Sequence, residues 1–213
     1  MQPYFMPYIG YFQMINLVDN FIFYDDVNYI KNGWVNRNKM LLNGIIHTFT
    51  IPIKNQSSFA KINETYIDWD SNKIQKIFKT FKIAYSKKNK LLLNEILSIF
   101  EYRPETISEL NVLTIKFFCE YLGIITNFYK SSDLNYNKKH DKVENLIQIC
   151  NLMNSNIYIN PLGGTKLYNK NDFKSRGIDL YFINGQSSTS ILDFCMNNSK
   201  DFVVDSLKKY TLT

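Results

Sequence analysis

Histidine and cysteine are scarce in this chain. Two histidines and three cysteines among 213 residues, none in a CxxC pair, argue against a structural zinc site, and no metal is expected. Cys119, Cys150 and Cys195 lie far apart and each follows an apolar neighbour, which reads as core thiols in a reducing compartment rather than a disulfide framework. No uninterrupted apolar run reaches the roughly eighteen residues of a membrane span, and no charged stretch followed by an apolar segment opens the chain as a signal peptide would. A cytoplasmic protein is expected. GxGxxG and P-loop patterns are missing, as are RNP, zinc-finger and helix-turn-helix signatures, so nucleic acid is not expected as a partner. The net charge of +6 comes with abundant Lys, Asn, Ile and Tyr, a combination that an AT-rich genome produces by itself; the lysines read as a solvated surface, with a basic face for acidic ligands as the alternative.

What is present predicts an α/β fold in one domain over residues 1–213. Gly10 to Val18 spaces Tyr11, Phe12, Ile15 and Val18 as one helical face, and Phe21-Ile22-Phe23-Tyr24 reads as a buried strand ending in two carboxylates. Met40-Leu41-Leu42, Asn43-Gly44 and Ile45 to Ile51 form a hairpin signal, because Asn-Gly suits the two positive φ values of a type I′ turn. A helical subregion spans about 71–122, with an apolar face through Ile107, Leu110, Leu113, Phe117 and Tyr121, a capping box at Thr106 and Glu109, and Gly123 as its stop. Strands at 125–129, 156–160 and 178–183 alternate with a helix carrying Val143, Leu146, Ile147, Cys150 and Met153. This alternation predicts a layered, largely parallel sheet with the hairpin as an insertion.

Ligands of such folds gather at the carboxyl ends of strands, which draws attention to Asp25 and Asp26. Either can accept a proton from an attacking amine, orient a sugar hydroxyl or hold a metal; alternatively one caps the following turn and the other pairs with Lys31 or Arg37. Neighbouring strand residues face opposite ways, so at most one is expected to aim into a pocket. Arg37, between Asn36 and Asn38, offers a planar fork for phosphate or carboxylate, with amides to read hydroxyls. Tyr8, Tyr11 and Trp34 supply either flat faces for a sugar or base, or core packing. Gly163-Gly164 after a strand is either a plain turn or a place where backbone amides meet a phosphate or oxyanion. His47 on the hairpin, His140 in a lysine-rich loop and the cysteines lack a recognisable catalytic context, and Ser190 reads as a helix N-cap.

The run Gln2-Pro3-Tyr4-Phe5-Met6-Pro7-Tyr8-Ile9-Gly10-Tyr11-Phe12, the run Asp25-Asp26-Val27-Asn28-Tyr29-Ile30-Lys31 with Trp34, Asn36-Arg37-Asn38 before Ile51-Pro52-Ile53, Gly163-Gly164 with Tyr168, Gly177-Ile178, and Ser190-Ile191-Leu192-Asp193 together resemble the WbqC-like family. The family pattern opens with a short apolar strand before Gln2. That strand is missing here, so the chain is expected to be truncated or its start assigned late; the segment between Ile183 and Ser190 is also shorter than the pattern. The resemblance implies an enzyme of bacterial surface-polysaccharide (O-antigen) assembly that transfers a glycyl or other small acyl group onto the amine of an amino-sugar nucleotide. It implies Asp25 or Asp26 as the base, and Gln2, Tyr8, Tyr11, Lys31, Trp34, Asn36, Arg37, Asn38, Gly163, Gly164 and Tyr168 as substrate-binding residues, with the Gln2 amide beside Asp25. No cofactor is specified; the acyl donor is either a carrier-protein thioester or an aminoacyl adduct, and a basic surface would suit an acidic acyl-carrier protein as partner. The alternatives are a non-catalytic sugar-nucleotide or glycan-binding subunit, and a nucleotidyltransferase, against which stands the absence of an HxGH pair.

Overall fold

The first eight residues have no regular structure, yet Pro3, Phe5, Met6 and Pro7 are buried. The computed structural model describes residues 1–54, 57–138 and 141–213, so His140 lies outside the described residues. Met6 takes a left-handed φ of 44° directly before a proline, a conformation that costs free energy for a residue with a Cβ. The surroundings enforce it. Asn38 Nδ2 donates to the carbonyls of Phe5 (2.9 Å) and Met6 (2.7 Å), and Asn111 Nδ2 donates to those of Pro3 (2.9 Å) and Val35 (2.7 Å). Two buried asparagines thus hold the opening segment against the hairpin and the helical subregion.

Helix α1 (Ile9–Leu17) follows and is buried on every side through Ile15 rather than on one face. Strand β1 (Asn20–Phe23) pairs in parallel with β4 (Asn127–Lys130), Phe21 opposite Phe128. Strands β2 (Arg37–Leu42) and β3 (Ile45–Thr50) form the expected hairpin, with φ of 53° at Asn43 and 78° at Gly44 as the turn requires. Strand β5 (Ile157–Pro161) runs parallel to β6 (Asp179–Asn184), whose end meets the short antiparallel β7 (Thr211–Leu212). The α/β class holds, but among the described residues the parallel pairs β1-β4 and β5-β6 belong to separate sheets.

The helical subregion contains α2 (Asn72–Tyr85), α3 (Lys90–Glu101) and α4 (Ile107–Leu122). Thr106 and Glu109 form the capping box, and Gly123 at φ 72° ends α4. The buried face of α4 differs from expectation. Leu113 is 37% exposed, and Phe117 and Tyr121 are half-buried, whereas Asn111, Thr114, Ile115, Phe118 and Leu122 point inward. Apolar residues surround most of α4, so periodicity offers two stripes, and the need to deliver Asn111 to the opening segment selects the one containing a polar residue.

Helices α5 (Lys142–Leu152) and α6 (Lys170–Lys174) pack on β5 and β6 in a second apolar cluster, distinct from the main core under α1, β1 and α4. Helices α7 (Ile191–Asn197) and α8 (Lys200–Ser206) close the chain, α7 capped by Ser190, whose Oγ accepts from the Asp193 amide at 3.3 Å. The cysteines are buried and free, and burial pushes the Cys119 and Cys195 thiols up to about 12 and Cys150 to about 11.

Asn38→Ala strips the donors from two buried carbonyls beside a strained residue, and we expect it to lower the unfolding free energy by about 2–4 kcal/mol in urea denaturation. A loss of under about 0.5 kcal/mol, the size of an ordinary surface substitution, would show that the clamp is dispensable.

Candidate functional site

Strand β1 stops at Phe23, so Asp25 and Asp26 follow a bend rather than continuing the strand alternation. Both carboxylates therefore turn the same way, contrary to the sequence expectation, and converge on one hydroxyl. Ser131 Oγ lies 3.2 Å from Asp25 Oδ1 and makes a short contact with Asp26 Oδ1. A hydroxyl has a single proton to give, so the two carboxylates share it.

Asp25 is 1% exposed. Its carboxylate accepts from Ser132 N and Ser132 Oγ, each at 3.1 Å, and faces Ser108 Oγ at 3.3 Å. The side chain thereby ties the end of β1 to the end of β4 and the first turn of α4. Asp26 is bound differently. Tyr136 donates to Asp26 Oδ2 at 2.9 Å, and Lys138 Nζ sits 2.6 Å from the same oxygen. Burial raises the Asp26 pKa, but hydrogen bonds from Lys138, Ser131 and Tyr136, with the lysine's charge, outweigh it and hold the carboxyl below its ordinary value of 3.8. The Asp26 side chain is 1% exposed and that of Lys138 is 42% exposed, so the lysine is the solvent-facing lid of the pair.

Tyrosines lead away from the pair on one side. Tyr136 hydrogen-bonds Tyr24, which contacts Asn145 and lies near Tyr168, and Tyr158 accepts from Asn160 Nδ2 at 2.7 Å. Burial raises the Tyr24 and Tyr136 pKa values, with the Asp26 charge adding to both and outweighing at Tyr24 the lowering by its hydrogen bonds with Tyr136 and Asn145, so both hydroxyls stay protonated at neutral pH. Among the described residues Asn145 Oδ1 is buried with no hydrogen-bond partner, an acceptor whose desolvation cost a donor from a ligand would relieve. Gly164 packs so tightly that a Cβ there would come 2.2 Å from Asn160 Oδ1 and 3.3 Å from the Tyr168 ring. Glycine is needed for that approach, while Gly163 has open space.

Of the residues expected at a site, Asp25, Asp26, Gly164 and Tyr168 thus fall around the carboxyl ends of β1, β4 and β5. Others are elsewhere. Tyr11 is 1% exposed, packs against Phe21 at 5.5 Å between ring centroids and donates to the Gln2 carbonyl at 2.9 Å; it is a core residue and offers no face to a ligand. The Asn36 amide accepts from Tyr29 and donates to the Ile51 carbonyl, both at 2.8 Å, and Asn38 holds the opening segment, so neither amide is available to read hydroxyls. Tyr8 is half-buried near Tyr4 and Tyr11. Arg37 and Lys39 approach the Trp34 ring, at 5.5 and 5.3 Å from its centroid, and Arg37 Nε donates to the Gly33 carbonyl. Among the described residues neither Lys31 nor Arg37 pairs with either carboxylate; Lys138 does. No group of three or more His, Cys, Asp or Glu that could hold a metal occurs among the described residues.

Sequence reasoning missed Tyr24, Ser131, Ser132, Tyr136, Lys138 and Asn145. Ser131 and Ser132 carried a signal, since they come just beyond the strand predicted at 125–129 and strand ends collect ligands.

Comparison with known proteins adds the lineage. The model of the WbqC-like protein family matches residues 2–204. The chain belongs to that family. A relative in Mycobacterium tuberculosis, the uncharacterized protein Rv1507c, is 31% identical over 153 residues, which cover 70% of this chain and 65% of the relative. The match thus spans slightly under two thirds of that relative's length. No solved structure matches.

Asp26 also makes a pH prediction. Its folded pKa is depressed, so the stabilisation is complete above its unfolded pKa near 3.9 and is lost as pH falls through the folded value. Wild type should melt above Asp26→Asn at pH 6, with the gap closing below about pH 4. Parallel melting curves across that range would contradict an ionised, paired Asp26.

Proposed function

We propose that this protein is a cytoplasmic transferase of bacterial surface-polysaccharide (O-antigen) biosynthesis that moves a glycyl or other small acyl group onto the amine of an amino-sugar nucleotide. The observation that carries this reading is the Asp26–Lys138 pair. A buried carboxylate already holds an ammonium group, and that ammonium stands on a half-exposed side chain able to swing away. An amino sugar presents the same chemistry. Its nitrogen would take the place of Lys138 Nζ, with Tyr24, Tyr136 and the orphan Asn145 oxygen left to meet ring hydroxyls.

The reaction then needs few parts. The bound ammonium first releases one proton to solvent as Lys138 swings away; the free amine then attacks the acyl carbonyl, a C–N bond forms, and the carbonyl oxygen takes the negative charge. Attack makes the nitrogen's proton acidic, so a carboxylate with a depressed pKa is a sufficient acceptor; Asp26 takes the proton as the donor's leaving group departs. Asp25 positions Asp26 through Ser131 and the fold around it. The backbone amides of the Gly163-Gly164 turn would serve the oxyanion or the diphosphate. Arg37 and Lys39 about Trp34 would clamp the nucleotide's phosphates, with Lys31, Gln2 and Tyr8 at the margin. The net charge of +6 suits an acidic acyl-carrier protein as donor.

Kinetics separate this reading from its rivals. Asp26→Asn should cut acyl transfer by about 100-fold or more and weaken binding of the free-amine sugar nucleotide, while the affinity for its N-acylated counterpart changes little. Undiminished turnover by the Asn variant would remove Asp26 as base. Tight binding by wild type without turnover on any acyl donor would make the protein a sugar-nucleotide-binding subunit, and released pyrophosphate would make it a nucleotidyltransferase.

A further inference from the structure

From Val27 to Asn63 the chain carries Lys31, Arg37, Lys39, Lys54 and Lys61 and not one of its 19 carboxylates. The acids that bound this stretch are already engaged: Asp26 holds Lys138, and Glu64 lies 3.7 Å from Lys61 Nζ. Lys31, Arg37, Lys39 and Lys54 have no carboxylate partner among the described residues. Within the stretch stands the hairpin of β2 and β3. By strand alternation its outer face presents Arg37, Lys39 and Leu41, opposite Thr50, Thr48 and Ile46, and the two cations reach over Trp34.

The inner face buries Asn38, Met40 and Phe49, and there the core ends. Leu42 and Ile45 form the next inner pair toward the turn. Ile45 is 65% exposed, and Ile46 on the outer face is 59% exposed. A Cβ added at Gly44 would meet nothing within 4 Å, so the turn stands clear of the rest of the molecule. The tip is thus apolar on both faces, with cations directly behind it. Aliphatic side chains held in water gain free energy when something covers them.

We propose that this hairpin is a membrane-docking element, whose tip enters the headgroup layer of an anionic bilayer and whose surrounding cations draw it there. Leu41 and Ile46 stand about two residues below the turn, or about 7 Å, which matches the roughly 5–10 Å to which interfacial segments sink. At that depth water still reaches the polar turn and the edge of β3, which pairs only with β2 among the described residues. The shape favours lipid over a protein partner. A protein groove covers one face of a β-ribbon, whereas a bilayer surrounds a tip that is apolar on both. Charge decides against a second copy of this chain, whose identical cations would repel, and in favour of phosphate headgroups. Trp34, at the level of the cations, is the side chain that favours the boundary between water and lipid. The attraction acts through space, so Arg37 and Lys39 remain able to take a nucleotide's phosphates.

Co-sedimentation with vesicles of equal parts phosphatidylglycerol and phosphatidylcholine tests this without substrate, so its result is independent of acyl transfer. Wild type should bind them about tenfold or more tightly than vesicles of phosphatidylcholine alone. Ile45→Thr combined with Ile46→Thr keeps β-branching, and with it the strand. That double variant should melt with wild type yet bind the anionic vesicles about tenfold or more weakly. Ile46→Trp should bind them more tightly than wild type. Several results overturn the proposal. Binding by the double variant equal to wild type would leave net charge as the whole attraction, and equal affinity for the two kinds of vesicle would leave the cations without a part. Ile46→Trp binding no more tightly than wild type would show that the tip stays outside the lipid. Absence of vesicle binding rejects docking outright; if the double variant then also dissociates a wild-type dimer in ultracentrifugation, the tip is a contact between copies.

Discussion

The bend after Phe23 depends on one buried carboxylate. Asp25 accepts from both donors of Ser132 and lies within reach of Ser108 and Ser131 hydroxyls, and its own backbone amide returns a bond to Ser131 Oγ at 3.1 Å. These contacts join three segments distant in sequence: the end of β1, the turn after β4 and the first turn of α4. A buried charge is tolerable only when its hydrogen-bonding capacity is filled. Because Asp25 meets that condition, Asp26 is delivered at a fixed place beside Tyr136 and Lys138, and the candidate site exists as a consequence of the packing beneath it.

The same logic recurs around the opening segment. A chain that places Met6 in a left-handed conformation and buries Phe5 beneath the hairpin must find donors for the exposed carbonyls, and it finds them on Asn38 and Asn111. Asn38, expected to read sugar hydroxyls, thus spends its amide on the backbone, as Asn36 does at the Ile51 carbonyl. Polar residues in a motif can hold a loop as readily as a ligand, and the two roles look alike until donors and acceptors are counted.

Much of the fold was legible before any coordinates. The Asn43-Gly44 turn, the Thr106 capping box, the Gly123 stop and the Ser190 cap each follow from a local requirement that few residue types meet, and each is where the sequence placed it. What local chemistry could not supply was the long-range part. No periodicity chooses which stripe of α4 turns inward when apolar residues surround most of it. Nor does it reveal that Ser131, Tyr136 and Lys138 come to Asp26 across more than a hundred residues of chain or that the hairpin's apolar tip stands clear of the body. Asp25 and Asp26 were found from their position at a strand end, but alternation wrongly set them apart because the strand stops sooner than its apolar run.

The central claim is that the Asp26 cluster receives an amine in place of Lys138. Thermal shift of the purified protein with a nucleotide-linked amino sugar and with its N-acylated counterpart tests it most directly, since a ligand that binds only the folded state raises the melting temperature. The free-amine sugar is predicted to give the larger shift, because only its nitrogen can replace the lysine ammonium at a buried carboxylate. Equal shifts from the two compounds, or none from either, would contradict the account.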